Sequence, residues 1–299
     1  MVSVVIPTHN RVDLLSRAID SALNQTYKNL EVIVVSDGST DGTDELMQKY
    51  EKDSRVKYIN YKSGHGGNYA RNMGIKAARG EFVAFLDDDD EWWSNKIEKQ
   101  ICIMSSDKEI GLVYTGTHSI FVDDNIEFDS CSMLQGDMSK RILFDNFVGS
   151  TTTVMLRKNV LEKSGLFDES LSAMQDYDLW VRVCQVCRVG VVSEPLVNYY
   201  NYNTSGQITL NFEKYEKAYD ILNNKYRELY KKMTQKEWKR KIAGQKNSIG
   251  MKAHRCNKGS VARRYYKQSL AECFQLKTVL LYIMSFFSYS KLLKFRTYK

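Results

Sequence analysis

The chain has 299 residues, enough for one large domain or a main domain with an appendage, and its 43% hydrophobic and 26% charged residues are typical of globular proteins. Six scattered cysteines exclude a disulfide-rich extracellular scaffold, and the N-terminus lacks the basic and apolar regions of a secretory signal. The net charge of +7 is uneven: residues 212–299 hold 22 Lys and Arg against 6 Asp and Glu, whereas residues 1–211 hold 21 against 30. We therefore expect a cytoplasmic protein with a boundary near residue 212.

Short apolar segments alternate with amphipathic segments through the first 100 residues. The apolar segments are rich in β-branched residues and predict four strands, at 3–7, 30–36, 56–61 and 81–86. The amphipathic segments predict helices at 11–25, 41–52 and 68–79. Apolar strands separated by helices favour a parallel sheet covered on both faces, with the carboxyl ends of the strands at one edge.

The rest of the chain predicts a mixed region followed by a helical one. Between 94 and 211 we expect helices at 94–106 and 176–187 and extended segments at 110–122, 151–157 and 189–200. From 212 onward the apolar spacing predicts helices at 212–229, 235–255, 261–274 and 276–287. The predicted fold class is therefore α/β with a C-terminal helical extension.

Four polar clusters follow the ends of the four predicted strands, at 7–11, 36–43, 64–72 and 87–91. Each cluster alone could be only a helix cap or a turn rich in Asp and Gly. Four in succession at one sheet edge favour a ligand site instead. Neither a complete G-x-G-x-x-G nor a G-x-x-x-x-G-K-[ST] motif is present, which disfavours dinucleotide and Walker-type sites.

The fourth cluster places five acids, Asp87 to Glu91, directly after an apolar strand and before two tryptophans. Their mutual repulsion requires a counter-charge, and carboxylate oxygens are the ligands that Mg²⁺ and Mn²⁺ prefer. If the strand continues, Asp87 and Asp89 point to the same side. A solvated acidic loop is the alternative, and Asp90 and Glu91 could serve only as caps of the helix that follows Trp92.

Segments in all four clusters resemble, in order and spacing, the N-terminal half of inverting family 2 glycosyltransferases of GT-A fold, in particular those of bacterial surface polysaccharides. They are IPTHNR (6–11), VSDGSTDGT (35–43), NYARNMGI (68–75) and FLDDDDEW (85–92). MQDYDLW (174–180) is similar to the acidic Asp-x-Asp-Leu-Trp element of that family. The resemblance implies a GT-A catalytic domain at 1–211, with a nucleotide-sugar-binding half at 1–100 and an acceptor-binding half at 101–211, before the basic helical region 212–299.

The resemblance also implies roles for individual residues. Nucleotide-sugar contacts are implied for Pro7, Thr8, Asn10, Asp37, Asn68, Arg71, Asp87 and Asp88. Within this set, Thr8 and Asp37 match base-binding positions, Asp87 faces ribose and Asp88 the donor sugar. Asp89 matches the metal ligand of the "DxD" element, for Mn²⁺ or Mg²⁺, although four consecutive aspartates leave the register open by one residue. Asp176 matches the catalytic base, with a plain helix N-cap as the alternative.

The implied function is a metal-dependent, inverting transfer of one hexosyl or N-acetylhexosaminyl unit from a UDP-sugar to a lipid-linked surface glycan. Two departures from the family bear on it: Gln175 replaces a frequent Glu, and 198–206 lacks the His and Arg of a Tyr-Arg-x-His-like element. The Gln-x-x-Arg-Trp element of processive synthases is absent, so we expect no polymer. The alternatives are a nucleotidyltransferase acting on sugar phosphates and a degenerate nucleotide-binding module.

The basic region 212–299 allows three interpretations. Basic amphipathic helices lie on anionic membrane surfaces, which predicts peripheral contact with the inner face of the cell membrane. The apolar segment VLLYIMSFF (279–287) is too short to span a bilayer. The alternatives are a helical hairpin packed on the catalytic domain and a nucleic-acid-binding tail. No nucleic-acid docking motif occurs, so we expect no nucleic-acid partner.

Overall fold

The computed structural model describes residues 1–202 and 211–297. The strands in these residues are β1 (Val2–Thr8), β2 (Leu30–Asp37), β3 (Val56–Tyr61), β4 (Phe82–Phe85), β5 (Glu91–Trp92), β6 (Ile110–Phe121), β7 (Ile126–Ser130), β8 (Val154–Arg157) and β9 (Arg188–Asn201). They form a single sheet in the order β3-β2-β1-β4-β8-β6-β9-β5, with β7 paired to β6 outside this path.

Twelve helices surround the sheet or extend from it in the described residues. They are α1 (Val12–Leu23), α2 (Thr43–Gln48), α3 (Gly67–Ala77), α4 (Lys96–Ser106), α5 (Lys158–Ser164), α6 (Gln175–Val183), α7 (Phe212–Lys225), α8 (Arg227–Tyr230), α9 (Gln235–Arg255), α10 (Gly259–Glu272), α11 (Leu276–Met284) and α12 (Tyr289–Thr297).

The first half of the sheet is parallel, as predicted. β1 pairs with β2 and β4, and β2 pairs with β3, all in parallel. Every residue of β1 and β2 is buried, because helices cover both faces. Helix α3 lies close to β1: a Cβ added at Gly74 would stand 2.2 Å from Cγ1 of Val5. This close approach sets the N-terminal turn of α3 at the carboxyl edge of the sheet.

The second half of the sheet is mixed. β8 runs antiparallel between β4 and β6, whereas β9 runs parallel to β6 with several register irregularities. β5 pairs with the far end of β9, where Glu91 stands opposite Asn198. This pairing brings residues 198–200 beside the acid run. The short strands β5 and β7 and helix α5 had no sequence prediction, and α6 ends four residues earlier than predicted.

The C-terminal helices pack on the preceding part of the chain through α7 and α8. Leu222, Tyr226 and Tyr230 are buried in the same apolar core as Trp180 of α6. The ammonium of Lys225 lies 2.7 Å from carboxylate oxygens of both Asp168 and Asp178. None of the helices in residues 1–202 and 211–297 combines the length and apolar character that crossing a bilayer requires.

Candidate active site

The acid run forms a turn rather than an extension of β4. The strand ends at Phe85, and the backbone N–H of Asp90 donates to the carbonyl of Asp87 at 3.1 Å. The strand therefore does not continue, and the condition under which Asp87 and Asp89 would point to the same side of it is not met. A turn is favoured because Asp side chains support turns. A turn also avoids an extended strand on which neighbouring carboxylates would repel one another.

Two arginines supply the nearest counter-charges. Nη1 of Arg11, the residue before α1, lies 2.9 Å from carboxylate oxygens of both Asp88 and Asp89. Nη2 of Arg71, on the first turns of α3, lies 2.7 Å from Oδ1 of Asp87. Two arginines thus pair with the three carboxylates of Asp87, Asp88 and Asp89, so acids outnumber their paired cations at the turn.

The carboxylates of the turn are perturbed by burial and by one another. Burial and the charge of Asp87 raise the pKa of Asp89 to about 6, although Arg11 opposes the rise. Burial also raises the pKa of Asp88. Burial and the charge of Asp89 raise the pKa of Asp90 well above its usual range. Any added positive charge would therefore be stabilised at this turn.

The residues present fit a divalent cation that shares its ligands with a substrate. No group of three His, Cys, Asp or Glu side chains within the described residues forms a ready-made metal site. Asp87 and Asp89 offer carboxylate oxygens at one end of a cavity. Mg²⁺ and Mn²⁺ commonly take one or two protein carboxylates and complete their coordination with substrate phosphate and water.

Asp90 and Glu91 do not cap a helix, so that expectation is wrong. Helix α4 begins at Lys96, and the two acids instead hold β9. The backbone N–H of Tyr200 donates to Asp90 at 3.2 Å, and Asn198 donates to Oε2 of Glu91 at 2.8 Å. Of the predicted departure at 198–206, Asn198 and Tyr200 make these contacts, and residues 203–206 lie outside the described residues.

Asp176 is the second residue of α6 and not its N-cap. The cap position is Met174, whose φ of 60° is uncommon for a side-chain-bearing residue. Oδ1 of Asp176 accepts from the backbone N–H of Tyr177 at 2.7 Å, and Oδ2 accepts from Nδ2 of Asn146 at 3.2 Å. Burial raises the pKa of Asp176. A carboxylate with a raised pKa, whose two oxygens are both fixed by hydrogen bonds, is suited to accept a proton.

Helix α6 is fixed to the segment that supplies Asn146. The hydroxyl of Tyr177 donates to the carbonyl of Ile142 at 2.8 Å, and Nε1 of Trp180 donates to the carbonyl of Gly149 at 3.0 Å. Both aromatic side chains are buried. The position of the Asp176 carboxylate is therefore set by core packing as well as by its own hydrogen bonds.

One cavity of about 210 Å³ is lined by both the acid turn and Asp176. It brings together six of the predicted site residues: Pro7, Arg71, Asp87, Asp88, Asp89 and Asp176. Ser150, Thr151, Met174, Gln175, Tyr199, Tyr200, Tyr215 and Arg11 complete its wall. The hydroxyl of Thr151 donates to the carboxylate of Asp87 at 3.1 Å. A molecule in this cavity would be within reach of both the acid turn and the carboxylate of Asp176.

Thr8, Asn10 and Asp37 lie beside this cavity and order its loops. Thr8 is buried at the end of β1, next to Asp88. The carboxylate of Asp37 accepts the backbone N–H groups of His65 at 2.8 Å and Gly66 at 2.6 Å. Oδ1 of Asn10 accepts the backbone N–H of residue 40 at 2.8 Å. The three residues join all four polar clusters at the sheet edge.

Asn68 has contacts that differ from those implied by the resemblance. Its side chain is buried, and Nδ2 donates to the carbonyls of Asp168 and Leu171, both at 2.9 Å. It is not among the residues that line the cavity described above. These bonds hold the chain that leads into Met174 and Asp176. Asn68 thus holds the segment that precedes the candidate base, and its nucleotide contact stays a prediction.

Replacing Asn68 by alanine is expected to lower the free energy of unfolding by about 1–3 kcal/mol, because buried carbonyls lose their donor. Urea denaturation monitored by circular dichroism measures the change. Asn159→Ala on α5 is the matched control, since Asn159 is exposed. Equal stability of the two variants would contradict the positioning role of Asn68.

Several residues of the site had no specific sequence prediction. Arg11 closes the first polar cluster, so its place at the sheet edge was a usable signal. Asn146 and Thr151 belong to no segment that resembles a family motif. Asn146 contacts Asp176 and Thr151 contacts Asp87, and both pairs are too far apart in the sequence to be predicted from a local pattern. Tyr215 reaches the cavity from α7, in the basic region.

Comparison with known proteins identifies a family for the N-terminal part. The family model described as "Glycosyl transferase family 2" matches residues 3–165. An uncharacterized glycosyltransferase of Rickettsia typhi is 35% identical over 227 residues, which cover 72% of this chain and 69% of the relative. The Escherichia coli protein WfaP, named UDP-Glc:alpha-D-GlcNAc-diphosphoundecaprenol beta-1,3-glucosyltransferase, is 34% identical over 189 residues, 61% of this chain and 70% of that protein. The match spans only about a third of some other Rickettsia relatives.

Solved structures with low sequence identity share the fold. Staphylococcus aureus TarS 1–349 in complex with UDP-GlcNAc is 18% identical, with a TM-score of 0.58 over 95% of this chain and 90% of that one. Mannosyltransferase PcManGT from Pyrobaculum calidifontis, in complex with GDP-Man and Mn²⁺, is 16% identical, with a TM-score of 0.61 over 97% and 82%. The predicted GT-A-like fold class is confirmed.

Proposed function

Because the chain belongs to glycosyl transferase family 2 and is therefore a glycosyltransferase, we propose that it moves one sugar from a nucleotide sugar to an acceptor hydroxyl with inversion. One observation carries the proposal: the acid turn with its arginines and the carboxylate of Asp176 line the same cavity. A single base with no enzyme nucleophile in the reaction gives a one-step displacement and hence inversion.

The donor side of the proposed reaction is the acid turn. Asp89, with Asp87 beside it, would hold Mn²⁺ or Mg²⁺, which stabilises the charge of the departing nucleoside diphosphate. Arg71 lies on the same wall and is placed to contact a phosphate. The excess of carboxylates over paired arginines at the turn supports the cation, and PcManGT, of the same fold, is solved with Mn²⁺. WfaP is named for UDP-Glc, which supports a UDP-sugar donor.

The acceptor side of the proposed reaction is Asp176. Its carboxylate takes the proton of the attacking hydroxyl while the hydroxyl oxygen bonds to the anomeric carbon. The bond between that carbon and the diphosphate oxygen breaks, and the diphosphate leaves with the electron pair. The raised pKa of Asp176 brings the base closer to the working pH. The name of WfaP supports a lipid-linked glycan of a surface polysaccharide as the acceptor.

A thermal-shift and hydrolysis screen of nucleotide sugars tests this proposal. The screen compares UDP- and GDP-sugars with Mn²⁺, with Mg²⁺ and with EDTA. We expect stabilisation and release of UDP from a UDP-sugar only when a divalent cation is present. Release of pyrophosphate from a nucleoside triphosphate and a sugar phosphate would instead identify a nucleotidyltransferase. Binding of nucleotide with no turnover of any donor or acceptor would indicate a degenerate module.

The exposed apolar face of the last helices supports peripheral contact with an anionic membrane. Phe274, Leu276, Ile283 and Phe286 are 75%, 77%, 51% and 61% exposed, on and beside α11. Lys277 lies in the same helix, and other lysines occur on α10 and α12. Apolar side chains with nearby cations are the pattern of helices that lie in a membrane interface. Such contact would bring the catalytic part to a lipid-linked acceptor.

Replacing Leu276, Ile283 and Phe286 together by serine is expected to lower binding to phosphatidylglycerol vesicles at least about tenfold, because buried apolar area drives interfacial binding. A flotation assay measures the bound fraction. Met133→Ser is the control, since Met133 is 73% exposed but lies far along the chain, beyond β7. Substitution changes only the exposed side chains, whereas removal of 259–299 would also delete the buried Tyr265, Tyr266 and Leu281 and so disturb the packing of the C-terminal helices. Unchanged flotation of the triple variant would contradict membrane contact at this face.

A further inference from the structure

A second cavity, of about 620 Å³, is lined by Asp176 but not by the acid turn. Its walls come from β6, β7, the segment 144–150 and helices α7 and α9. The family model ends at residue 165, so the wall that α7 and α9 contribute is outside the matched region. Asp176 and Met174 line both cavities, which makes the second one accessible to a molecule that also reaches the candidate base.

Lys252 of α9 is a cation in this cavity without an acidic partner in contact. Its ammonium lies 4.8 Å from the ring centroid of Tyr215, and the described residues give it no hydrogen bond or salt bridge. Burial and the neighbouring charge of Arg255 lower the pKa of Lys252 to about 8, whereas the charge of Asp176 opposes this shift. Lys252 therefore lies within electrostatic reach of Asp176 and gains from an added anion.

Arg255 follows one turn later on the same face of α9. Its Nη1 donates to Oδ1 of Asn201 at 3.1 Å, and its guanidinium carbon lies 5.6 Å from the ring centroid of Phe121. Its guanidinium lines the cavity near Lys252, and guanidinium groups are common ligands of phosphate oxyanions. Asp145, an acid that also lines the cavity, is paired with Arg141 at 2.8 Å.

The far end of the cavity is apolar. Phe121 and Phe128 stack with ring centroids 5.8 Å apart, and both line the cavity. Leu293 of α12 packs against them in one small apolar cluster. The charge of Asp176 acts on Lys252, Arg255 lies one helical turn further along α9, and Arg255 contacts the aromatic pair through Phe121. A carboxylate, two cations and an aromatic pair in this succession match a sugar, a diphosphate and an apolar chain.

We propose that Lys252 and Arg255 form an anion-binding subsite for the phosphate groups of a glycosyl diphosphate acceptor that carries an apolar chain. The proposal rests on the proposed function, because it places the sugar of the acceptor at Asp176. It assigns to the basic C-terminal region a direct part in acceptor binding. Lys252 and Arg255 are binding residues here, and the proton transfer remains with Asp176.

Isothermal titration with undecyl diphosphate, an acceptor fragment without sugar, tests the subsite. The full-length chain is first saturated with UDP and Mn²⁺ at pH 7, so that the donor side is occupied. We expect Lys252→Met and Arg255→Gln each to weaken binding of undecyl diphosphate at least about tenfold. Lys239→Met is the matched control, because Lys239 is an exposed lysine of α9 outside the cavity.

The controls separate this proposal from the proposed function. Undecyl maltoside, which is neutral, is expected to bind equally weakly to the wild type and to both variants. Inorganic pyrophosphate is expected to bind more weakly than undecyl diphosphate, and equal binding would overturn the apolar part of the site. Unchanged binding of undecyl diphosphate by both variants would overturn the subsite. UDP affinity and release of UDP from a nucleotide sugar report separately on the donor site. A wild-type protein that neither binds UDP nor releases it from a nucleotide sugar would count against the proposed function alone.

Discussion

Asp176→Asn is expected to lower kcat by about 10²–10⁴-fold, because the amide cannot accept the proton of the acceptor hydroxyl. The affinity for UDP is expected to stay unchanged, since the hydrogen bonds of Asp176 go to Tyr177 and Asn146 and not to the acid turn. An asparagine oxygen still accepts the backbone N–H of Tyr177, so the fold should persist. Initial rates with a saturating donor, together with UDP titration, measure the two effects.

The pH profile gives a second readout of the same substitution. Burial raises the pKa of Asp176 above its ordinary value, and a base works only when it is deprotonated. Activity of the wild type should therefore fall on the acid side of an apparent pKa that is higher than that of a free aspartate. Asp220→Asn on the exposed face of α7 is the charge control and should retain the wild-type profile. Wild-type turnover by Asp176→Asn would exclude Asp176 as the base.

Asp89→Asn is expected to lower kcat/KM by about 10²–10³-fold and to remove the stabilisation that Mn²⁺ gives in the presence of a UDP-sugar. The substitution removes a carboxylate ligand but leaves Arg11 paired with Asp88. Chelation of the metal from the wild type should reduce its rate to a similar level. Rate assays over a range of Mn²⁺ concentrations, with thermal shift in parallel, measure the loss.

The stability of the ligand-free variant separates a metal role from a folding role. An acid whose pKa is raised in the folded state destabilises the fold once the pH exceeds its unfolded pKa, and Asp89 is such an acid at about 6. Asp89→Asn should therefore unfold at the same temperature as the wild type or higher at pH 7. A much lower unfolding temperature would show that the lost activity reports misfolding. If Mn²⁺ stabilises Asp89→Asn as much as it stabilises the wild type, Asp89 is not a metal ligand.

The parallel half of the fold was predictable because its signals are local. Each strand from β1 to β4 is a short segment rich in apolar and β-branched residues, and each intervening helix has an apolar face. The antiparallel insertion of β8 between β4 and β6 was not predictable, because pairing across about 70 residues of chain leaves no local pattern. The start of α6 was misplaced because an Asp near a helix start is typical of an N-cap, whereas Met174 takes that position in a left-handed conformation.

The candidate site, like the fold, has residues that could be predicted from the sequence and residues that could not. The acid run and Asp176 stood out because their residue types and spacing resemble a family, and the structure brings them to one cavity. The resemblance alone placed Asn68 on the donor, whereas its amide bonds the chain before Asp176. Lys252 had no sequence signal, since one lysine among the many of the basic region is distinguished only by the tertiary contact of α9.

Real-time proton NMR of donor hydrolysis tests the central claim most directly. The chain is incubated with Mn²⁺ and α-linked UDP-sugars, so that water takes the place of the acceptor hydroxyl. A single displacement assisted by Asp176 predicts that the β-anomer of the free sugar appears first and later mutarotates to the mixture. Release of the α-anomer first would contradict the one-step mechanism.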